Sequence, residues 1–373
     1  MSQHGMRIFN IAGARVTPET DLPLQLPTQG FLWVACSRSA FEAHLDPIQA
    51  ALERWCGRCL VDLHVSDLLN AQLPSHFDYS AHYDLMVFRR LATPEPAATE
   101  PPINKRQGPP ALQRLHTSPV GFAVFDRILI SVHPDDCAVR DAYAQRLLTT
   151  AEQRLAEPDA RSTGARGVPT SPADMMLRII SHMVDGYLDL RRILSRQLDH
   201  WQTQLLNPRA RFVRWEALLQ ARAALHQLES LCDDQRTALL NWGESLNSEQ
   251  PGAEVGATRD LEMLKIRNRD VLEHIDRVAQ HVRRLEHNTE SAVQMHFNVQ
   301  SNRTNDIMRT LTSLTAIFLP LNLIAAIFGM NFEFIPWLHQ ASAFWWTLAS
   351  MGLIALSLVL VFWRKRYLAK TGE

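Results

Sequence analysis

This chain has little surplus charge of either sign. Its 38 Lys and Arg stand against 39 Asp and Glu, a formal net charge of -1. Neither a nucleic-acid partner nor an acidic tail is expected from such a balance. Signatures of common catalysts are also missing. There is no Gly-rich phosphate loop, no nucleophile elbow and no H-E-x-x-H, so nothing supports an enzyme and no cofactor is expected. The N-terminal MSQHGMRIFNIAGARV holds no apolar run long enough for a signal peptide, which predicts that the large polar part stays in the cytoplasm. Cysteine is scarce, five in 373 residues, as suits a reducing compartment. Cys56 and Cys59 form a lone C-x-x-C with no second pair. They are expected to be small buried hydrophobes rather than a zinc or redox site.

Charge is wholly absent from two stretches, residues 311–328 (LTSLTAIFLPLNLIAAIF) and 343–363 (AFWWTLASMGLIALSLVLVFW). A hydrocarbon layer about 30 Å thick is crossed by about 20 residues of helix, and both runs qualify. Trp337, Trp345 and Trp346 flank one end of the pair, and Trp363 and Tyr367 the other, as interfacial aromatics do. Arg303 and Arg309 precede the first run; Arg364, Lys365, Arg366 and Lys370 follow the second. Positive residues stay inside, so both termini are expected in the cytoplasm, with the loop 329–342 facing outward.

The rest divides at 157/158. Residues 1–157 mix strand and helix patterns: strands at 31–38, 83–91 and 121–132, a helix at 41–55, and a short helix ended by Pro74. A Pro-rich insertion, 92–119, carries seven Pro. This predicts a small cytoplasmic α/β domain. Residues 158–310 are helical almost throughout, with helices at 171–206, 214–242 and from about 258 onward. The last shows no Pro or Gly until Pro320 and is predicted to continue through the first span to Phe328 as a stalk. A stalk of that length is not stable alone and needs neighbours. The chain closes with the basic tail 364–373.

Stepping by three and four residues along the stalk gives Asn305, Met308, Thr312, Thr315, Leu319, Asn322, Ala326 and Gly329. These positions share one helix face. Two amides and two hydroxyls lie on it, with no ionisable, sulfhydryl or imidazole group. An amide in mid-membrane is costly without a partner or water, so Asn322 argues against simple helix packing. One stripe cannot enclose water, whereas a ring of copies can. Neutral oxygens suit a hard cation that keeps its water shell, and Mg2+ dehydrates reluctantly. A membrane-anchored signalling or scaffold protein is the alternative of a different class. An anchor has no need of such a stripe.

SNRTNDIMRTLT, then a Pro-broken apolar helix, then Gly329-Met330-Asn331, a short loop and a final span with a basic tail together resemble the CorA magnesium-transporter family. VSDLLNAQLPSHFDYSAHYDLMVFRRL and FAVFDRILISVHPDD resemble that family's helix-then-strand segment and its next hairpin. The resemblance implies a funnel-shaped homopentamer in the cell (inner) membrane, conducting divalent cations such as Mg2+, Co2+ and Ni2+. In it Gly329, Met330 and Asn331 form the outer ion ring, Asn322 and Asn305 fall at inner polar rings, and Met308 and Leu319 fall at hydrophobic constrictions. Glu333 in the loop is placed to attract cations. The resemblance also implies a regulatory cation between Asp67 and the stalk of a neighbouring copy. A gap-free count puts Gln294 at the stalk position, with Glu290 one turn earlier as a substitute. Gln294, and Trp337 where a second loop carboxylate is usual, raise the zinc-transporting ZntB-like branch as the alternative.

Overall fold

The computed structural model describes residues 5–92, 116–156, 167–206, 215–248, 255–330 and 341–364. Two units are distinguished, Met1–Gln204 with Ala210–Glu290, and Leu205–Arg209 with Ser291–Glu373.

In the first unit seven described strands form one sheet: β1 (Met6–Ala12), β2 (Arg15–Glu19), β3 (Phe31–Ser37), β4 (His76–Tyr79), β5 (Asp84–Leu91), β6 (Thr117–Val124) and β7 (Ile128–His133), in the order β2-β1-β3-β7-β6-β5-β4. β3 and β7 run parallel, with Val34 beside Ile130, and the other described pairs are antiparallel. A strand covered on both faces reads as an unbroken apolar run, and FLWVACS is buried along its whole length. Its alternate residues part to the two faces. Leu32, Val34 and Cys36 join Phe41, Ile48, Leu52, Val65 and Leu68 of the short helices α1 (Arg38–Ala43), α2 (Leu45–Cys56) and α3 (Asp62–Leu69). Trp33 lies on the other side, stacked on Phe9 at 5.0 Å and edge-on to Tyr143 of α4 (Ala138–Ala156) at 6.0 Å.

Several sequence expectations need correcting. Residues 121–132 are not one strand. Phe125 N–H bonds the Ile128 carbonyl at 2.9 Å and closes the turn between β6 and β7, the hairpin that the family resemblance implied. The single helix expected over 41–55 is two, divided at His44, whose backbone leaves the helical region. The insertion expected over 92–119 ends earlier, because Thr117, Ser118 and Pro119 pair with Leu91, Arg90 and Arg89. Pro119 precedes the first residue that β6 pairs with β7, so its missing N–H costs no ladder bond there. Residues 93–115 lie outside the described residues. β1, β2, β4 and α4 were not anticipated. The β1–β2 hairpin turns at Gly13, which takes φ +60, a left-handed conformation that suits glycine. Cys56 and Cys59 are exposed rather than buried. Partial desolvation of its sulfur, then Asp126, still holds the Cys56 thiol above its ordinary pKa, which disfavours the reactive thiolate.

The helical expectations hold: α5 (Pro172–Leu206), α6 (Trp215–Ser248) and α7 (Val255–Phe328). Tyr187 of α5 donates to the Arg89 carbonyl at 2.8 Å, and Trp242 Nε1 of α6 donates to Asp84 at 3.0 Å, fixing both helices to β5. α7 is 74 residues long, about 110 Å at 1.5 Å per residue. Its neighbours in this unit supply what a long helix lacks alone. Val271, Ile275, Val278, Val282, Leu285 and Thr289 are buried at alternating spacings of four and three. Asn268 donates to the Leu239 carbonyl of α6, and Ser195 of α5 meets His281 at 2.8 Å.

His133 gives this unit a pH dependence. It is fully buried, with Nε2 2.9 Å from Ser131 Oγ. Burial, with Arg140 and Arg90 nearby, lowers its pKa from 6.5 to about 3. The unfolded chain therefore takes up a proton that the folded chain refuses as pH falls below about 6.5. Stability from this group is fully present at pH 7 and declines towards pH 3. Acidification from pH 7 to pH 5 is expected to cost about 2 kcal/mol at this residue. Thermal unfolding of the whole protein followed at both pH values checks this. A His133→Asn variant should show a flatter dependence than the native chain, and identical profiles would disprove the assignment.

Candidate functional site

In the second unit α7 completes its course, and α8 (Ala341–Arg364) supplies the other apolar segment. Both contain stretches long and apolar enough to cross a membrane. Large side chains such as Leu323, Leu353 and Trp346 are exposed along them, as a lipid-facing surface requires.

The predicted stripe lies on an uncovered face of α7. Asn305, Met308, Thr312, Thr315, Leu319, Asn322 and Ala326 are all exposed in the single chain. A different set is covered: Ser313 is buried, and Ala316, Ile317, Pro320, Leu321 and Ile324 are half-buried. At 3.6 residues per turn, the centre of this covered face lies roughly 150° from the centre of the stripe. α8 shows the same one-sidedness, with Thr347, Met351, Ile354, Ala355, Leu358 and Phe362 half-buried on one face. Within one chain, then, the face centred on Ser313 and Pro320 finds cover, while the stripe stays exposed together with lipid-facing residues such as Leu314, Phe318 and Leu323.

The threonines present oxygen in a particular state. Thr312 donates its hydroxyl to the Met308 carbonyl at 2.7 Å, and Thr315 donates to Leu311 at 2.9 Å. With the proton committed to the backbone, the remaining lone pairs of each oxygen are free to accept. Such an oxygen can receive a hydrogen bond from a water held by a cation. The sequence pattern located these residues but gave no sign of their hydroxyl orientation.

Pro320 interrupts the ladder, because it has no N–H for the Ala316 carbonyl. It sits on the covered face, away from the stripe. Helix α7 ends at Phe328; Gly329 N–H still reaches the Ala325 carbonyl at 2.9 Å. A Cβ at Gly329 would lie 3.1 Å from that same carbonyl oxygen, closer than ordinary contact, so a side chain there would press on the helix end. Met330 is exposed. Asn331 and Glu333 lie outside the described residues, as do Trp337 and His339.

The residues linked to regulation are placed as follows. Asp67 of α3 is half-buried, with its carboxylate 3.8 Å from His76 Nε2. Gln294 is exposed on α7. Glu290 is 4.0 Å from Arg222 of α6, an ion pair within the same chain. The first unit also holds a cavity of 380 Å³, bordered by Tyr143, Arg146, Arg178, His182 and Arg267; no stripe residue lines it.

The chain thus joins a sheet-and-helix domain to a long helix with an exposed polar stripe, followed by a second apolar helix. The chain belongs to the CorA-like Mg2+ transporter protein family, whose model matches residues 60–366. That description is of a transporter, in keeping with the expectation that the chain is not an enzyme. Among curated relatives, the cobalt/magnesium transport protein CorA of Thermotoga maritima is 37% identical over 100 residues, 27% of this chain and 28% of the relative. The putative metal ion transporter YfjQ of Bacillus subtilis is 32% identical over 96 residues, 26% of this chain and 30% of the relative. These two matches thus span under a third of either relative. The cobalt/magnesium transport protein CorA of Methanocaldococcus jannaschii is matched more widely, at 22% identity over 68% of this chain and 72% of the relative. The complete structure of the CorA magnesium transporter from that organism aligns with TM-score 0.70 at 16% identity, covering 96% of this chain and 97% of it. The full-length CmaX protein aligns with TM-score 0.60 at 18% identity, covering 97% of each. These likenesses bear out the fold: an α/β domain, a long helix and two apolar helices at the C-terminal end.

Proposed function

We propose that this protein carries divalent metal cations, Mg2+ foremost and Co2+ and Ni2+ with it, across the inner membrane along the polar stripe of α7. One observation carries the reading. The stripe residues stand on the face left uncovered by the chain's own packing, with the hydroxyl protons of Thr312 and Thr315 already used. Copies arranged in a ring bring that face to a common axis and wet it. The cation keeps its inner waters, which donate to threonine oxygens and asparagine carboxamides. Asn331 holds the hydrated ion at the outer mouth, with Gly329 and Met330 setting the helix end, and Glu333 raises the local cation concentration. Both termini are cytoplasmic.

The ring is a homopentamer, as the family resemblance implies. Native mass spectrometry in mild detergent is expected to show five subunits; an active, strictly monomeric protein would rule the ring out. Zn2+ transport is the second reading, favoured by Gln294 and Trp337 standing where magnesium-type chains carry carboxylates. The stripe, without His or Cys, favours the harder ion. Flux into proteoliposomes decides, with Mg2+, Zn2+, Co2+ and Ni2+ supplied singly, with and without a pH gradient. Mg2+ flux independent of the gradient supports the first reading. Zn2+ flux that needs the gradient supports the second. No flux of any of the four would leave the protein an anchor.

A further inference from the structure

A second cation site is legible away from the stripe, on the soluble unit. His226 and Glu229 stand one turn apart on α6, and Glu286 faces them from α7. One imidazole nitrogen and one oxygen from each carboxylate all lie within 4.8 Å of one another. His226 is exposed and the two glutamates are half-buried, so their side chains have room to turn. We propose that these three residues bind a transition-metal dication of the zinc class and thereby clasp α6 to α7. Neither the ion path nor the identity of the transported cation enters this inference.

The donor set decides the class of ion. One nitrogen and two carboxylate oxygens, with a water in the fourth place, is a set that Zn2+ accepts. Mg2+ requires a near-ideal octahedron of oxygens and gains little from imidazole. Ligand atoms around tetrahedral zinc are about 3.3 Å apart, given metal–ligand distances of about 2.0–2.2 Å. Closing from the present spacing needs only side-chain rotation of about 1 Å.

The two carboxylates are now held by arginines. Arg283 Nε is 2.5 Å from Glu229, and Arg222 Nε is 3.7 Å from Glu286. These pairs oppose a metal only if the arginines have nowhere else to go. Each has an acid one turn further along the same helix as its first partner. Arg283 already reaches Asp233 at 3.2 Å, and Arg222 reaches Glu290 at 4.0 Å. A dication taking Glu229 and Glu286 therefore leaves both guanidiniums paired. No uncompensated charge results, and the exchange occurs at a surface where ion pairs are individually weak.

The test uses the full-length protein in detergent, stripped with chelator and then equilibrated with Zn2+ under excess Mg2+. The excess keeps oxygen-only sites filled with Mg2+. The native chain is expected to retain one zinc per subunit more than His226→Gln. The variant's zinc affinity should fall by more than the roughly 10–100-fold typical of losing only a ligand's hydrogen-bond partner. Zn2+ should raise the thermal midpoint of the native chain and leave that of His226→Gln unmoved. Co2+ in place of zinc should give the intense visible bands of a low-coordinate site, lost in both His226→Gln and Glu286→Gln. His226 is exposed, so metal-free melting of its variant should match the native chain and exclude a folding defect. Equal zinc content in native and His226→Gln protein, or only the pale spectrum of octahedral cobalt, would overturn the proposal.

Discussion

Asn322→Leu is expected to lower cation flux by far more than tenfold while the subunit still folds and inserts. Asn322 is exposed on the stripe, roughly opposite the half-buried face of Pro320 and Ile324, so no contact within the chain is lost. Insertion should even improve, because Leu is favourable in the bilayer and a mid-membrane amide is not. In a ring, each copy would place a leucine where an amide had met the water shell. A lost amide–water hydrogen bond is worth about 1 kcal/mol, and several copies add their losses at one level of the path. A hydrophobic constriction also drains a narrow path of water. Flux into proteoliposomes, measured at matched protein content, is the readout. Near-native flux would show that ions do not pass this face of α7. Asn331→Ala provides a graded comparison. It removes the amide proposed for the outer mouth without adding bulk, so its deficit should be greatest at low ion concentration.

Millimolar internal Mg2+ should close the proposed pore weakly or not at all through Asp67. The family resemblance sets Asp67 against position 294 of a neighbouring copy, and a hard dication bridging them needs oxygen donors, preferably charged. Gln294 supplies only a neutral amide oxygen. Asp67 lies 3.8 Å from His76 Nε2 within its own chain, and Glu290, the substitute one turn earlier, lies 4.0 Å from Arg222. Gln294→Asp is therefore expected to create strong inhibition by internal Mg2+, and Asp67→Ala in that background should abolish it. Flux recorded against internal Mg2+ for the native chain and the single and double variants makes the comparison. Strong closure of the native pore, lost on Asp67→Ala alone, would show that another group completes the site.

Much of this molecule was determined by its sequence alone. Two uncharged runs of membrane length, a 63-residue tract without Gly or Pro between Gly256 and Pro320, and Gly-Met-Asn at the end of the first run are properties of the string itself. Helix boundaries followed closely, α7 running Val255–Phe328 where about 258–328 was expected, because a long polar-apolar period of 3.6 leaves few alternatives. The strands were less legible. GFAVFDRILISV is largely apolar on either side of the Asp126-Arg127 turn, since both strands are buried on both sides and alternation is lost, so one short charged pair did not stand out as a strand boundary. MRIFNIAGARV lies too near the N-terminus, and is too short, for its hairpin to stand out from a loop. Spacing placed Thr312 and Asn322 on one face but could not say which face the chain covers. That depended on Ser313, Pro320 and Ile324 finding cover while the stripe did not, an outcome of packing between segments. His226, Glu229 and Glu286 show the same limit more sharply. Glu286 is 57 residues from Glu229 along the chain, and no local period links them. Only the alignment of α6 beside α7, driven by the buried seam from Val271 to Thr289, brings their ligand atoms within reach of a single ion.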